Sequence, residues 1–318
     1  MKWIKMNGDG WIYAPSGKHG FDASHCHKPT PVIIDDETVR VFFGVRDNNS
    51  KTRTTFIDLD INDLTHVKYI HDKPVLDLGT IGAFDDSGAN VSSIVKVGNF
   101  LYMYFIGWNP STTVHTRNSI GLAVSMDNGL TFNRMYTGAV LDRTKDEPFY
   151  TGAVDVIKQG DIWKMWYTSG SAWEIINGKP EIHYHIKYAT SLDGIDWRRD
   201  NISCIPPQNS IEATARPSVI YDIASPIPYK MWYSRRDIVD FRSDKKHQYR
   251  AGYAESLNGI NWIRKDDEVG IDISETGWDS EAIAYPYVIK LKNNFYMFYN
   301  GNSFGKTGFG IAELQGEM

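Results

Sequence analysis

Bulky apolar residues alternate with small or polar ones along this chain in runs of nine or ten, whereas apolar residues three and four apart rarely persist long enough for a helix. The runs are VRVFFGVRD (39–47), FLYMYFIGWN (100–109), IWKMWYTSG (162–170), YKMWYSRRD (229–237) and FYMFYNGNS (295–303). Aromatic and β-branched residues at this period suit a strand sandwiched between two sheets. A second strand follows each: TTFIDLD, SIGLAVS, IKYATS, AGYAES and GFGIAEL. Asp58, Ala123, Ala189, Ala254 and Ala312 hold equivalent places in them, a repeat of about 65 residues. Three copies then carry SMDNGLTF (125–132), SLDGIDW (191–197) and SLNGINW (256–262), in which Asn-Gly or Asp-Gly supplies the positive φ of a tight turn and the aromatic caps the sheet.

A unit of four short antiparallel strands, repeated five times, is the sequence signature of a β-propeller. The expected fold is therefore all-β: one five-bladed propeller domain spanning residues 1–318. The last copy ends after its third strand, while the N-terminal KWIKM resembles the outer strands NWIRK and DWRRD. Residues near 2–6 are predicted to complete the last blade and close the ring, which removes a sheet edge.

Polar residues recur ahead of the first strand of each copy. Glu212 stands seven residues before Val219 in EATARPSVI, Glu281 seven before Val288 in EAIAYPYVI, and His25 seven before Val32. First strands line the axis of a propeller, so these residues are expected at the mouth of an axial funnel. The set comprises His25, His27 and Lys28; Asp85 and Asp86; Asp146 and Glu147; Glu212 and Arg216; Asp279 and Glu281. The ends of the second strands add Arg46, Trp108, Asn109, Trp173, Arg235, Arg236, Asn300 and Asn302.

Opposed carboxylates with aromatic walls and Arg or Asn donors are what glycosidic chemistry needs. One protonated acid serves the leaving oxygen, a second carboxylate activates water or attacks, and flat rings stack on sugars. Glu147 is the expected general acid or base, Glu212 its opposing carboxylate and Asp86 an orienting group. His25, Arg46, Asp85, Trp108, Trp173, Arg216, Arg235, Glu281 and Asn300 are the expected substrate-binding residues. His25-x-His27 and His183-x-His185 each pair two imidazoles without a third ligand at diagnostic spacing, so no metal and no cofactor is expected.

The net charge of −5 and a pI of about 6.0 give no field to hold nucleic acid or an anionic membrane. The start lacks an apolar signal region and no apolar run reaches a membrane span. Cys26 and Cys204 alone make no disulfide framework. A soluble, cytoplasmic protein is expected.

With IGLAVSMDNGLTFNR, IKYATSLDGIDW and AGYAESLNGINW, the chain resembles the five-bladed propeller glycosidases, the group that includes glycoside hydrolase families 32, 43, 68 and 130. The likeness covers nearly the whole chain and implies a carbohydrate-active enzyme that cleaves or transfers a glycosyl group. In the classical hydrolases an Asp of the first blade is base or nucleophile, an Asp of the second orients and a Glu of the third is the acid. Asp86 or Asp85 and Glu147 match the latter two. The first-blade stretch SHCHKPTPVII holds no carboxylate. Either Glu212 or Glu281 supplies one, or phosphate is the nucleophile, as in the family 130 phosphorylases, held by Arg46, Arg216, Arg235 and His25. The expected substrate is a saccharide, sugar phosphate or nucleotide sugar. The alternative is a non-catalytic saccharide-binding or scaffold propeller in polysaccharide biosynthesis.

Overall fold

The alternating runs fold as antiparallel meanders in the computed structural model, which describes residues 1–316. Two short strands, β1 (Trp3–Lys5) and β2 (Trp11–Tyr13), precede the first meander. That meander is β3 (Ser24–Ile33), β4 (Thr38–Arg46), β5 (Thr52–Asp60) and β6 (Asp63–Ile70). The second is β7 (Gly88–Val97), β8 (Phe100–Asn109), β9 (Arg117–Ser125) and β10 (Asn133–Arg134). The third is β11 (Tyr150–Gln159), β12 (Ile162–Ile176), β13 (Lys179–Ser191) and β14 (Arg198–Ile205). The fourth is β15 (Glu212–Tyr221), β16 (Tyr229–Asp237), β17 (Arg250–Ser256) and β18 (Ile263–Arg264). The fifth contributes β19 (Ala284–Leu291), β20 (Asn294–Asn300) and β21 (Phe309–Leu314).

The fifth meander has no outer strand of its own downstream. Strand β1 lies there instead, antiparallel to β21, with Trp3 opposite Leu314 and Lys5 opposite Ala312. The indole of Trp3 packs edge-on to Trp232, 5.9 Å between centroids, in an apolar cluster shared with the fourth meander. Comparable clusters fill the spaces between the first and second meanders, the second and third, the third and fourth, and the fifth and first. The core is thus divided into five layers, each sealed by the bulky faces of two sheets, which is why the aromatic runs are apolar on both sides. A single parallel bridge, Thr52 to Gly88, joins the first two meanders into one sheet.

The first strands of the meanders, β3, β7, β11, β15 and β19, touch one another in that order, and β19 touches β3. All five break register at the same level: at His27/Thr30, Val91/Ser93, Thr151/Val154, Ala215/Ser218 and Ala284/Tyr287. A bulge bends its strand and re-aims the extra residue. The hairpin β12–β13 is the one departure in size, running six residues past the IWKMWYTSG run. Its tip, Asn177-Gly178, has φ of 51° and 76°, which the Asn-Gly pair accommodates.

Candidate functional site

Four meanders tie the acid ahead of their first strand to a cation on their outermost strand. Asp85 is 2.6 Å from Arg134, Glu147 3.1 Å from Arg199, Glu212 2.8 Å from Arg264, and Asp279 2.6 Å from Lys5. Each cation stands two residues beyond an aromatic: Phe132, Trp197, Trp262 and Trp3. A tyrosine of the second strand joins the pair in three of them, Tyr167 donating to Glu147 at 2.8 Å, Tyr233 to Asp266 beside Arg264 at 2.5 Å, and Tyr299 to Asp279 at 3.1 Å. The carboxylates of Asp85, Glu147, Glu212 and Asp279 are buried, so the pairing offsets a desolvation that would otherwise forbid ionisation. Burial alone would push the Glu212 carboxyl up; Arg264 and the Gln208 N–H more than reverse this and hold it below its ordinary range.

The axis is filled by a different set. Just past the bulges, one residue from each first strand meets its neighbours in a polar belt: Thr30, Ser93, Asp155 and Ser218, all buried, and the half-buried Tyr287. Asp155 accepts hydrogen bonds from Ser93 at 2.9 Å, Tyr287 at 3.2 Å and the Val219 N–H at 2.7 Å. Arg216, wholly buried on the bulge of β15, donates to Thr30 Oγ1 at 2.9 Å and to the carbonyl of Ser92, with its guanidinium over the Tyr287 ring.

Beside this belt opens a cavity of about 320 Å³ whose chemistry is set by Lys28, Arg46, His27, Asn90, Trp108 and Tyr285. No carboxylate lines it among the described residues. Lys28 lies on the bulge of β3 with its Nζ 4.6 Å from the Tyr285 ring centroid, and its backbone N–H is held by Asn300 Oδ1 at 2.7 Å. Burial, then Arg216 and Arg46, pull the Lys28 ammonium down to about 7. His25 stacks on His27 at 4.8 Å, and burial, Arg46 and Lys306 lower it to about 4. His27, 4% exposed, is held lower than usual by its burial, Arg46, Lys28 and His25, and its Nε2 has no partner. The Oδ1 of Asn90 is likewise buried and unpaired. Lys28 and Arg46 with no carboxylate beside them, and the orphaned His27 Nε2, can hold a tetrahedral oxyanion in a hollow of this size, while Asn90 Oδ1 is free to accept from a hydroxyl.

The residues singled out from the sequence therefore divide. Arg46 and Trp108 line the cavity, His25 stands behind His27, Asn300 positions Lys28, and Arg216 anchors the belt next to it. Trp108 lies against Gly88, where a Cβ would overlap its indole. The other predicted residues do not line the cavity. Asp85, Glu147 and Glu212 are in the ion pairs above. Asp86 accepts from the Gly82 N–H at 2.9 Å and from Ser87, closing a turn. Glu281 is 3.4 Å from the Gln248 amide. Trp173 packs edge-on to His115, and Arg235 lines two other clefts beside Arg250. His27 and Lys28 were expected at the funnel mouth but not as binding groups, and Asn90, His115, Asn118 and Tyr285, which also line the cavity, were not singled out. A signal existed for two of them: Lys28, Arg216 and Tyr285 each precede the proline of the recurring first-strand motif.

No family model matches the chain. Two relatives in Mycobacterium tuberculosis, the proteins called Uncharacterized protein MT1551 (strain CDC 1551 / Oshkosh) and Uncharacterized protein Rv1502 (strain H37Rv), are each 33% identical over 99% of this chain and 100% of their own length. Among solved structures, one described as a glycoside hydrolase superposes with a TM-score of 0.73 at 16% identity, covering 99% of this chain and 94% of that one. A structure from the GH130 family of mannoside phosphorylases, described as containing glycoside hydrolases that target beta-1,2 mannosidic linkages in Candida mannan, gives 0.69 at 14% identity over 99% and 94%. A thermostable family-43 glycoside hydrolase gives 0.65 at 15% identity over 96% and 94%. At full-length coverage by both relatives, and with these folds beside it, the chain belongs to the family of the two mycobacterial proteins, a family built on the fold of the β-propeller glycosidases.

Proposed function

We propose that the five meanders are the blades of one five-bladed propeller domain closed by β1, and that it is a carbohydrate-active enzyme transferring a glycosyl group in the axial cavity with an oxyanion as reactant. The observation that carries this reading is the pairing of Lys28 and Arg46, both free of counter-charges, in a cavity that no carboxylate lines among the described residues. A hydrolytic site needs two carboxylates flanking the sugar. A phosphate held by cations takes the place of the attacking carboxylate: one oxygen of hydrogen phosphate bonds to the anomeric carbon as the glycosidic C–O bond breaks, and the leaving oxygen takes the proton that the phosphate brought. Trp108 offers the flat face for the sugar ring. Phosphorylated sugars and nucleotide sugars carry the same oxyanion, which fits a cytoplasmic role in assembling a polysaccharide.

The test is mass spectrometry of products from purified protein given glycosides, sugar phosphates and nucleotide sugars, with and without inorganic phosphate, beside Arg46→Met. A new product that depends on phosphate or on a phosphorylated donor, and that Arg46→Met loses, is expected. A phosphate-independent hydrolysis product unaffected by that substitution would reject the reading. The engagement of Asp85, Glu147 and Glu212 in ion pairs favours a second reading, a saccharide-binding propeller without turnover. It predicts no product from any mixture while sugar phosphates still raise the melting temperature.

A further inference from the structure

Lys28 holds its amine where an ammonium ion has nothing to balance it. From its own strand β3 it faces His25 and His27; from β4, Arg46; from β15, Arg216; from β19, the ring of Tyr285. Lys306 stands behind His25, and His115 lines the far side of the cavity. All the permanent charges in that set are positive. The acid beyond Arg216, Asp155, already accepts from Ser93, Tyr287 and the Val219 N–H. A half-buried ammonium flanked by two guanidinium groups sheds its proton readily, because their repulsion adds to its partial desolvation. The bulge aims it there: Lys28 has φ of 53° ahead of Pro29 and its N–H is held by Asn300 Oδ1, which sets the direction in which the side chain leaves the strand.

We propose that Lys28 is the proton-linked ligand of this cavity: a divalent oxyanion enters accompanied by one proton, which the Lys28 amine takes from solvent, turning –NH2 into the –NH3+ that completes the cradle with Arg46. The inference rests on reading the cavity as an anion site. Arg46 carries its charge throughout and has no proton to gain. His25, brought down to about 4, and His27, lower than usual as well, stay neutral above pH 8 even with an anion beside them. Lys28 is the one group in the cavity whose charge an anion can switch on in mildly alkaline solution, being drawn down to about 7 when the cavity is empty. The proton so delivered lies next to the anion and within the space a leaving oxygen would occupy.

Sulfate is the probe, since it does not titrate in this range. Isothermal calorimetry of sulfate binding at pH 8.5, in two buffers of different ionisation heat, should show close to one proton taken up per sulfate. The dissociation constant should rise about a hundredfold between pH 6 and pH 9, as one linked proton requires. Lys28→Arg, charged at every pH, should bind sulfate with no proton uptake and a flat pH profile, whereas Lys28→Met should bind weakly throughout. Sulfate binding by the wild-type protein that is equally tight at pH 6 and pH 9, with no proton uptake, overturns the proposal while leaving the anion site standing. Failure of the wild-type protein to bind sulfate at pH 6 overturns both.

Discussion

Lys28, Arg216 and Tyr285 occupy one structural position in three strands, though their side chains have little in common. Each precedes a proline, each is the first residue of a bulge, and their φ angles are 53°, 54° and 54°. Pre-proline residues are driven toward extended conformations, and a left-handed angle on a side chain other than glycine costs on the order of 1 kcal/mol. Three such residues around one axis persist because their surroundings hold them. Asn300 does this for Lys28, accepting from its N–H while donating to the carbonyls of Cys26 and Gly308. Asn300→Ala should therefore lower stability by about 3 kcal/mol in urea unfolding, from the orphaned backbone groups, and weaken sulfate binding about tenfold. The recurring Pro-x-Val-Ile segments were visible in the sequence, but the acid five residues before the proline and the residue just before it are equally polar there. Which of the two reaches the axis is decided by a bulge, and a bulge leaves no mark on composition or period.

The outer strands explain where the acids go. Strand boundaries were largely legible: the runs 100–109 and 229–237 coincide with β8 and β16, and the WIK of KWIKM forms β1 as its likeness to NWIRK and DWRRD suggests. The cation two residues after each aromatic was equally visible, yet its partner lies about fifty residues earlier in three meanders and 274 residues later for Lys5, and nothing local announces the pairing. Asp58, which stands where the other copies have Ala, has a similar cause: it takes both ends of Arg40, at 2.7 and 2.8 Å, and Arg40 in turn donates to the Asn128 carbonyl of the next meander. Arg264→Met should cost about 3 kcal/mol at pH 7, because it strands the buried Glu212, and leave sulfate binding unchanged. Glu212 is held below its ordinary value of 4.5 when folded, so the stability it contributes is present above that pH and lost as pH falls through the lower folded value. Unfolding curves from pH 7 to pH 3 should then show the gap between wild type and Arg264→Met closing below about pH 4.5. The six extra residues of β12 went unread, since SAWEII mixes polar and apolar positions without a clean period; the hairpin they build leans on the next meander through Asn177 and Asp240, 3.1 Å apart.

Across the whole molecule, five apolar layers must be filled, and the last is filled by the chain's first strand. Trp3 is 5% exposed and packs against residues as distant in sequence as Trp232 and Leu314. Trp3→Ala should cost about 3–5 kcal/mol and lower the unfolding midpoint in urea, while leaving sulfate binding in the cavity, which Trp3 does not line, unchanged. If the variant unfolds in two steps, with the fifth meander first, that meander depends on β1 for its stability more than the others depend on one another. The acidic net charge concerns the outer surface only; the interior of the cavity has the opposite sign, a contrast that an average over 318 residues conceals.

The polar belt has a kinetic consequence. Thr30, Ser93, Asp155 and Ser218 are almost wholly buried and stop the axis, so the cavity has a floor. Lys28 is two residues from the belt along β3, while Trp108, opposite Gly88, is five residues up β7 from Ser93. On the proposed reading an anion on Lys28 lies beneath a sugar on Trp108, and the two load as a stack: the anion goes in first and comes out last.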